Sequence, residues 1–285
     1  MVLNSLNDIL VPIDFSMNTE FVVKQAIELA TTTGAEIHLL HVIKPNRANI
    51  PATDLIVFSG NKDYNVNEAM NKLKQWKQAI EETIAESKVK IHLVEGSVHE
   101  TIINAAKKIQ PQLIIIGEKC NHSFFRYFRP LCPNEISKTT GCPVLTIISG
   151  TGNSKMQNIV VPVRSFIPKR KIELLLVFAK MYRAKIHLVA VQNKIGAGDA
   201  ERNALLDTYR LLKTVLTNSI EYHLLDSNNF PKATLKYAES IRADMMFVNP
   251  GAETKISSFT GKHINEVLAP SSKLKILFVE PLHEK

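Results

Sequence analysis

Apolar residues along this chain alternate between two periods. Short runs in which nearly every position is apolar and β-branched, such as DILVPI at residues 8–13 and EIHLLHVI at 36–43, predict strands covered on both faces. Between them, residues 18–33 place Phe21, Val22, Ala26, Ile27, Leu29 and Ala30 at helical spacing, and Gly34 supplies a stop. A polar stretch with Pro45, Pro51 and Gly60 reads as a loop. Residues 67–86 then carry one apolar stripe, Met70, Leu73, Trp76, Ile80 and Ile84, of a long helix. The same reading predicts strands at 89–94, 112–117 and 143–148, with helices at 98–109 and 134–140. Five strands separated by helices imply an α/β, mainly parallel, doubly wound sheet with right-handed crossovers.

After a Gly- and Ser-rich joint at residues 149–154 the order begins again. ILVPIDFS from Ile9 recurs as IVVPVRSF from Ile159, an offset of 150, and AEIHLLHV from Ala35 recurs as AKIHLVAV from Ala184, an offset of 149. Later, KIHLVEG from Lys90 answers EYHLLDS from Glu221, and NEI at Asn134 answers NEV at Asn265, both at an offset of 131. Internal repetition of this kind decides architecture more firmly than propensity. Two tandem domains are expected, 1–150 and 151–285, the second being 18 residues shorter after its second strand.

Composition narrows the function classes. The 285 residues are 45% hydrophobic and 22% charged, an ordinary globular balance that argues against disorder. No apolar run approaches the roughly 20 residues of a membrane span, and the N-terminal stretch carries neither a basic leader nor a cleavage site, so a cytoplasmic protein is expected. The formal charge of +8 comes from scattered Lys and Arg, which makes nucleic acid an unfavoured partner. Cys120, Cys132 and Cys142 lack paired spacing and read as reduced thiols. With His122, the first two lack the close spacing of a structural zinc site, so no metal is expected. His38 and His187 match between the copies, as do His92 and His223, which points to a shared structural setting. Residues 124–129 (FFRYFR) could stack bases and meet phosphates, but packing on the neighbouring domain is the simpler reading. No nucleophile elbow, metalloprotease helix or Walker loop occurs, and an enzyme is not expected.

The strand order, the VPIDFS opening, the strand ending in Gly117 and the closing NEISKTTGCPVLTI resemble the universal stress protein family in its tandem two-domain form. That resemblance implies two Rossmann-like (flavodoxin-like) sheets of order 3-2-1-4-5, related by a pseudo-twofold, with the last strands of the two halves paired antiparallel. It also makes a homodimer plausible, alongside an unknown protein partner.

Many members of the family bind ATP through a Gly, two residues, Gly, nine residues, then Gly followed by Ser or Thr. Glycines let backbone N–H groups approach phosphate oxygens, and the hydroxyl adds a donor at a helix N-terminus. Here the first copy supplies Gly117, Cys120, Pro130 and Leu131. Proline has no N–H and leucine no hydroxyl, so two phosphate contacts are lost. Its adenine side looks better kept in Asp14, Phe15, Ser16 and Val42. The second copy has Val248, Gly251, Gly261 and Lys262, and Arg164 replaces the first-strand Asp. A guanidinium offers the adenine amino group only donor against donor. Gly251, Gly261, Lys262 and Arg164 could instead hold another anion, or be a loop relic with solvated cations.

The expectation is therefore a non-enzymatic stress-response binding or signalling module with degenerate ATP loops and no required cofactor. Two alternatives stay open: ATP or AMP held weakly by the first crevice, with slow hydrolysis, and a scaffold or sensor for another anion or an apolar ligand.

Overall fold

The computed structural model describes residues 6–43, 66–84, 88–118, 131–148, 156–192, 199–256, 262–268 and 272–281. The first half runs β1 (Asp8–Pro12), α1 (Met17–Thr33), β2 (Glu36–Ile43), α2 (Val66–Thr83), β3 (Val89–Glu95), α3 (Val98–Ile109), β4 (Leu113–Glu118), α4 (Pro133–Thr140) and β5 (Val144–Ile148). The second repeats it as β6 (Asn158–Pro162), α5 (Lys169–Tyr182), β7 (Lys185–Gln192), α6 (Asp199–Val215), β8 (Ile220–Asp226), α7 (Phe230–Ser240), β9 (Met245–Val248), α8 (Ile264–Val267) and β10 (Lys275–Phe278). Expected and observed bounds agree to the residue for β2 and α3 and within one residue at β1, β4 and β5. The helix expected at 67–86 ends at Thr83, and residues 85–87 lie outside the described set.

The two five-stranded arrays are one ten-stranded sheet of order β3-β2-β1-β4-β5-β10-β9-β6-β7-β8. Each half is parallel within itself, and the seam is antiparallel: β5 pairs β10 with Thr146 opposite Ile276, Leu145 opposite Leu277 and Val144 opposite Phe278. Every residue of both seam strands is buried. Because alternate strand positions point to opposite faces, Ile9 and Val11 enter one core with α1 and α5, while Leu10 enters the other with α3, α4 and α7. Both cores contain residues from both halves.

Polar contacts tie the halves beyond the seam. Lys275 Nζ donates to Gln25 Oε1 at 2.7 Å, and Gln25 Nε2 donates to Tyr182 Oη at 3.0 Å. Arg170 donates to the carbonyls of Gly141 and Glu280. Among the described residues, no helix is long and apolar enough to cross a membrane.

Phe278 is fully buried at this seam. Truncation of a buried ring leaves a cavity and typically costs about 3–5 kcal/mol. Phe278→Ala should lower the unfolding free energy by an amount in that range in urea titration, with the sheet retained by circular dichroism.

Candidate functional site

In a doubly wound sheet the crevice lies beyond the carboxyl ends of the strands. In the first half those ends gather β2, β1 and β4 side by side. Asp14 is exposed just past β1, and its Oδ1 accepts from the Ser16 N–H at 3.0 Å, from Ser16 Oγ at 2.5 Å and from Thr19 Oγ1 at 3.4 Å. Ser16 in turn caps α1, its side chain accepting from the Asn18 N–H at 3.3 Å. Asp14 thus shapes the turn that starts the helix. Between them Phe15 takes a left-handed backbone (φ 57°), and its ring stacks on His41 with centroids 4.1 Å apart.

His41 was not among the residues singled out from the sequence. It is buried, and its Nδ1–H donates to the Ile13 carbonyl at 2.8 Å. Burial outweighs that hydrogen bond and the nearby Asp14 charge, holding the imidazole below its ordinary pKa and therefore neutral at pH 7. Lys72 of α2 lies 5.8 Å from the Phe15 ring centroid. One signal could have found His41: its counterpart in the second copy is Ala190, so the copies differ at this crevice position inside an otherwise matching strand.

Val42 is half-buried against the second core. Gly117, the last residue but one of β4, lies beside the first turns of α1, and a Cβ there would lie 3.1 Å from Val22 Cγ2 and 3.3 Å from Asn18 Cβ. Close helix packing therefore accounts for that glycine. Leu131 packs on the second core, and Cys132 precedes α4 without a capping hydrogen bond from its side chain. Burial is the leading cause that pushes the Cys132 thiol pKa up. Cys120, His122, Pro130, the aromatic segment 124–129 and the loop 45–64 lie outside the described residues. Cys142 is buried, its Sγ donates to the Pro111 carbonyl at 3.0 Å, and burial pushes its pKa up to about 12.

The second crevice is organised around a buried ion pair that the sequence reading missed. Lys171 of α5 and Glu253, in the loop after β9, meet at 2.5 Å with 1% of each side chain exposed. Lys171 Nζ also donates to the Pro162 carbonyl at 2.9 Å, and the same Glu253 oxygen accepts from the Asn249 N–H at 2.7 Å. Burial pulls the lysine pKa down, and the adjacent carboxylate opposes the shift. The available signal was again a difference between copies, since Lys171 stands where the first helix has the buried Val22.

The remaining residues of the expected anion set divide. Arg164 Nη1 donates to the Ala252 carbonyl at 3.2 Å, and its guanidinium carbon lies 5.1 Å from the Phe230 ring centroid. Gly251 has φ 90°, a value that favours glycine. Its N–H points at Asn134 Oδ1 and Thr254 Oγ1, both at 2.9 Å, and Thr254 donates to the same Asn134 oxygen at 3.0 Å. Asn134 belongs to α4, so the first half supplies the acceptor that this loop glycine uses. Lys262 is exposed and accepts the Ile256 N–H through its carbonyl at 2.9 Å; Gly261 lies outside the described residues.

Removing one partner of a buried pair strands the other charge at a cost of about 3–5 kcal/mol, whereas an apolar pair of similar volume is often neutral. Glu253→Gln and Lys171→Met should each destabilise by an amount of that order. Lys171→Met combined with Glu253→Leu should lose far less than their sum in a denaturant double-mutant cycle.

A family model described as "Universal stress protein family" matches residues 6–147. No curated protein matches the chain. Among solved structures, a universal stress protein from Archaeoglobus fulgidus DSM 4304 is 17% identical, with 97% of each chain covered and a TM-score of 0.66. A functionally unknown protein from Pseudomonas aeruginosa PAO1 is also 17% identical, covering 97% of this chain and 93% of its own, with a TM-score of 0.60. The cytoplasmic domain of a prokaryotic cation chloride cotransporter is 11% identical over 96% of this chain and 95% of its own, with a TM-score of 0.57. At such identities these likenesses show the fold, and they extend through both halves.

Proposed function

The chain belongs to the universal stress protein family, and from that premise we propose that it is a non-enzymatic stress-response module that binds or signals without requiring ATP. The observation that carries the reading is the second crevice, where the chain's own groups take the contacts a phosphate would need. The Gly251 N–H is bonded to Asn134 and Thr254, and Lys171 is neutralised by Glu253. In the first crevice the support is chemical: Pro130 and Leu131 stand where an N–H and a hydroxyl would meet phosphate. The partner is then a protein or a ligand other than ATP, and a cytoplasmic setting and a homodimer accord with the reading.

A second reading has one observation in its favour. Asp14, Phe15, Ser16, Val42 and Gly117 occupy the adjoining ends of β1, β2 and β4, where ATP or AMP could be held through its adenine.

Isothermal titration of the full chain with ATP, with and without magnesium and after mass spectrometry has excluded co-purified nucleotide, separates them. The first reading expects no saturable heat from the native chain and a gain of binding in Pro130→Gly/Leu131→Ser. Micromolar binding near one equivalent that disappears in Asp14→Ala would overturn it in favour of the second.

A further inference from the structure

At the opposite end of the first half, the amino ends of β1, β2 and β3 bring together Asp8, Glu36, His38, Lys90 and His92. His38 is buried, and its Nε2 lies 3.0 Å from Asp8 Oδ1 and 3.2 Å from Glu36 Oε1. The three atoms all fall within 4.8 Å of one another. On the other side of the ring, His38 Nδ1 is 3.1 Å from His92 Nε2. From this geometry we infer that Asp8, Glu36 and His38 form a binding site for a first-row divalent cation of the zinc class.

Three observations carry the inference. The first is charge. Asp8 and Glu36 are directly opposite in the β1–β2 register, and like charges so placed repel. Glu36 Oε1 is buried from water, and its partners are the Lys90 ammonium, held as an ion pair, and His38 Nε2 at 3.2 Å. Lys90 is largely exposed, so it can swing away, and a divalent ion would neutralise both carboxylates at once.

The second is ligand geometry. Bonds of about 2.0–2.2 Å to His nitrogen and carboxylate oxygen put neighbouring ligand atoms about 3–3.6 Å apart, and both edges from His38 Nε2 lie in that interval. A metal on Nε2 requires the proton on Nδ1, which then needs an acceptor. His92 supplies one, its Nε2 lying 3.1 Å from His38 Nδ1.

The third is the molecule's own comparison. In the second half the equivalent histidine, His187, meets only neutral partners on its two nitrogens at hydrogen-bond distance, Tyr237 Oη at 3.0 Å and Asn158 Oδ1 at 3.2 Å. Asn158 and Lys185 there replace Asp8 and Glu36, and Lys185 pairs with Glu221 at 2.6 Å, reversing the polarity of the Glu36–Lys90 pair. The fold is thus satisfied at this position without any pair of opposed carboxylates. The second half keeps a looser His187, Glu221 and His223 group, whose contacts to Glu221 are 3.8 and 3.7 Å and whose one carboxylate is already held by Lys185.

The inference does not rest on whether a nucleotide binds in the crevice. Its test is titration of the chelator-treated, dialysed full chain with cobalt(II), read by visible absorption, and with zinc, read by calorimetry, with magnesium as the control. One equivalent of cobalt and zinc should bind saturably. Binding should be lost in Asp8→Asn/Glu36→Gln, and Asp8→Asn alone, which copies the second half, should weaken it at least tenfold. His92→Phe should weaken it about 10–100-fold by removing the acceptor that orients His38. Circular dichroism and the melting temperature identify any variant that has lost its fold, and Asp8→Asn then carries the test. Absence of saturable binding to the native chain would overturn the site. So would undiminished binding in the folded variants, which would place the metal on the cysteines or on the His187 group.

Discussion

The antiparallel pairing of β5 with β10 is the constraint on which the other inter-half contacts depend. Each half alone is a parallel array whose last strand is buried at every position, and without its partner that edge would expose both its backbone groups and its side chains. Pairing Val144–Thr146 with Ile276–Phe278 satisfies the two edges with each other and imposes the pseudo-twofold. That symmetry carries α4 to the loop after β9, so Asn134 can accept from Gly251 and Thr254. It also lets Arg170 reach the turn after α4 and the segment after β10. A crevice loop in this molecule is therefore partly a component of the interface between halves.

Duplication makes each half a control for the other. The pairing of β2 with β3 and of β7 with β8 keeps a cross-strand ion pair with its polarity reversed, Glu36 with Lys90 in one and Lys185 with Glu221 in the other. Each half thus holds one pair of opposite charges at this position, with the strands that carry each sign exchanged. The carboxyl ends behave differently. Val22 of α1 corresponds to Lys171 of α5, and His41 of β2 corresponds to Ala190 of β7. Those exchanges alter charge and volume inside the crevice, so the two sites have different chemistry on one scaffold.

Much of the architecture was legible because a strand covered on both faces must be apolar at nearly every position, and a helix packed on such a sheet must show one stripe. The carboxyl end of α1 was equally readable, since Gly34 takes the left-handed conformation with φ 75° that closes it, whereas Ser16, read as part of the adenine side, is the N-cap of that helix. The seam was legible only through family resemblance, because pairing between β5 and β10 leaves no local pattern. Lys171 and Glu253 are 82 positions apart, and each alone reads as an exposed charge; only the fold makes them buried partners. Gly117 was legible as a special position, yet the approach of α1 explains it without a ligand.

The ion pair also bears on what the second crevice can accept. Counting Arg164 and Lys171 as cations near the loop would make the site attractive to phosphate. In the folded chain Lys171 is already satisfied by Glu253 and the Pro162 carbonyl, and Arg164 by the Ala252 carbonyl and the face of Phe230. An incoming anion must displace those contacts or approach a pair with no net charge across a low-dielectric wall, where leaving a charge unpaired is costly. Glu253 thus acts as a built-in anion: its own chain, not a bound phosphate, supplies the counter-charge that holds the loop after β9 against α5.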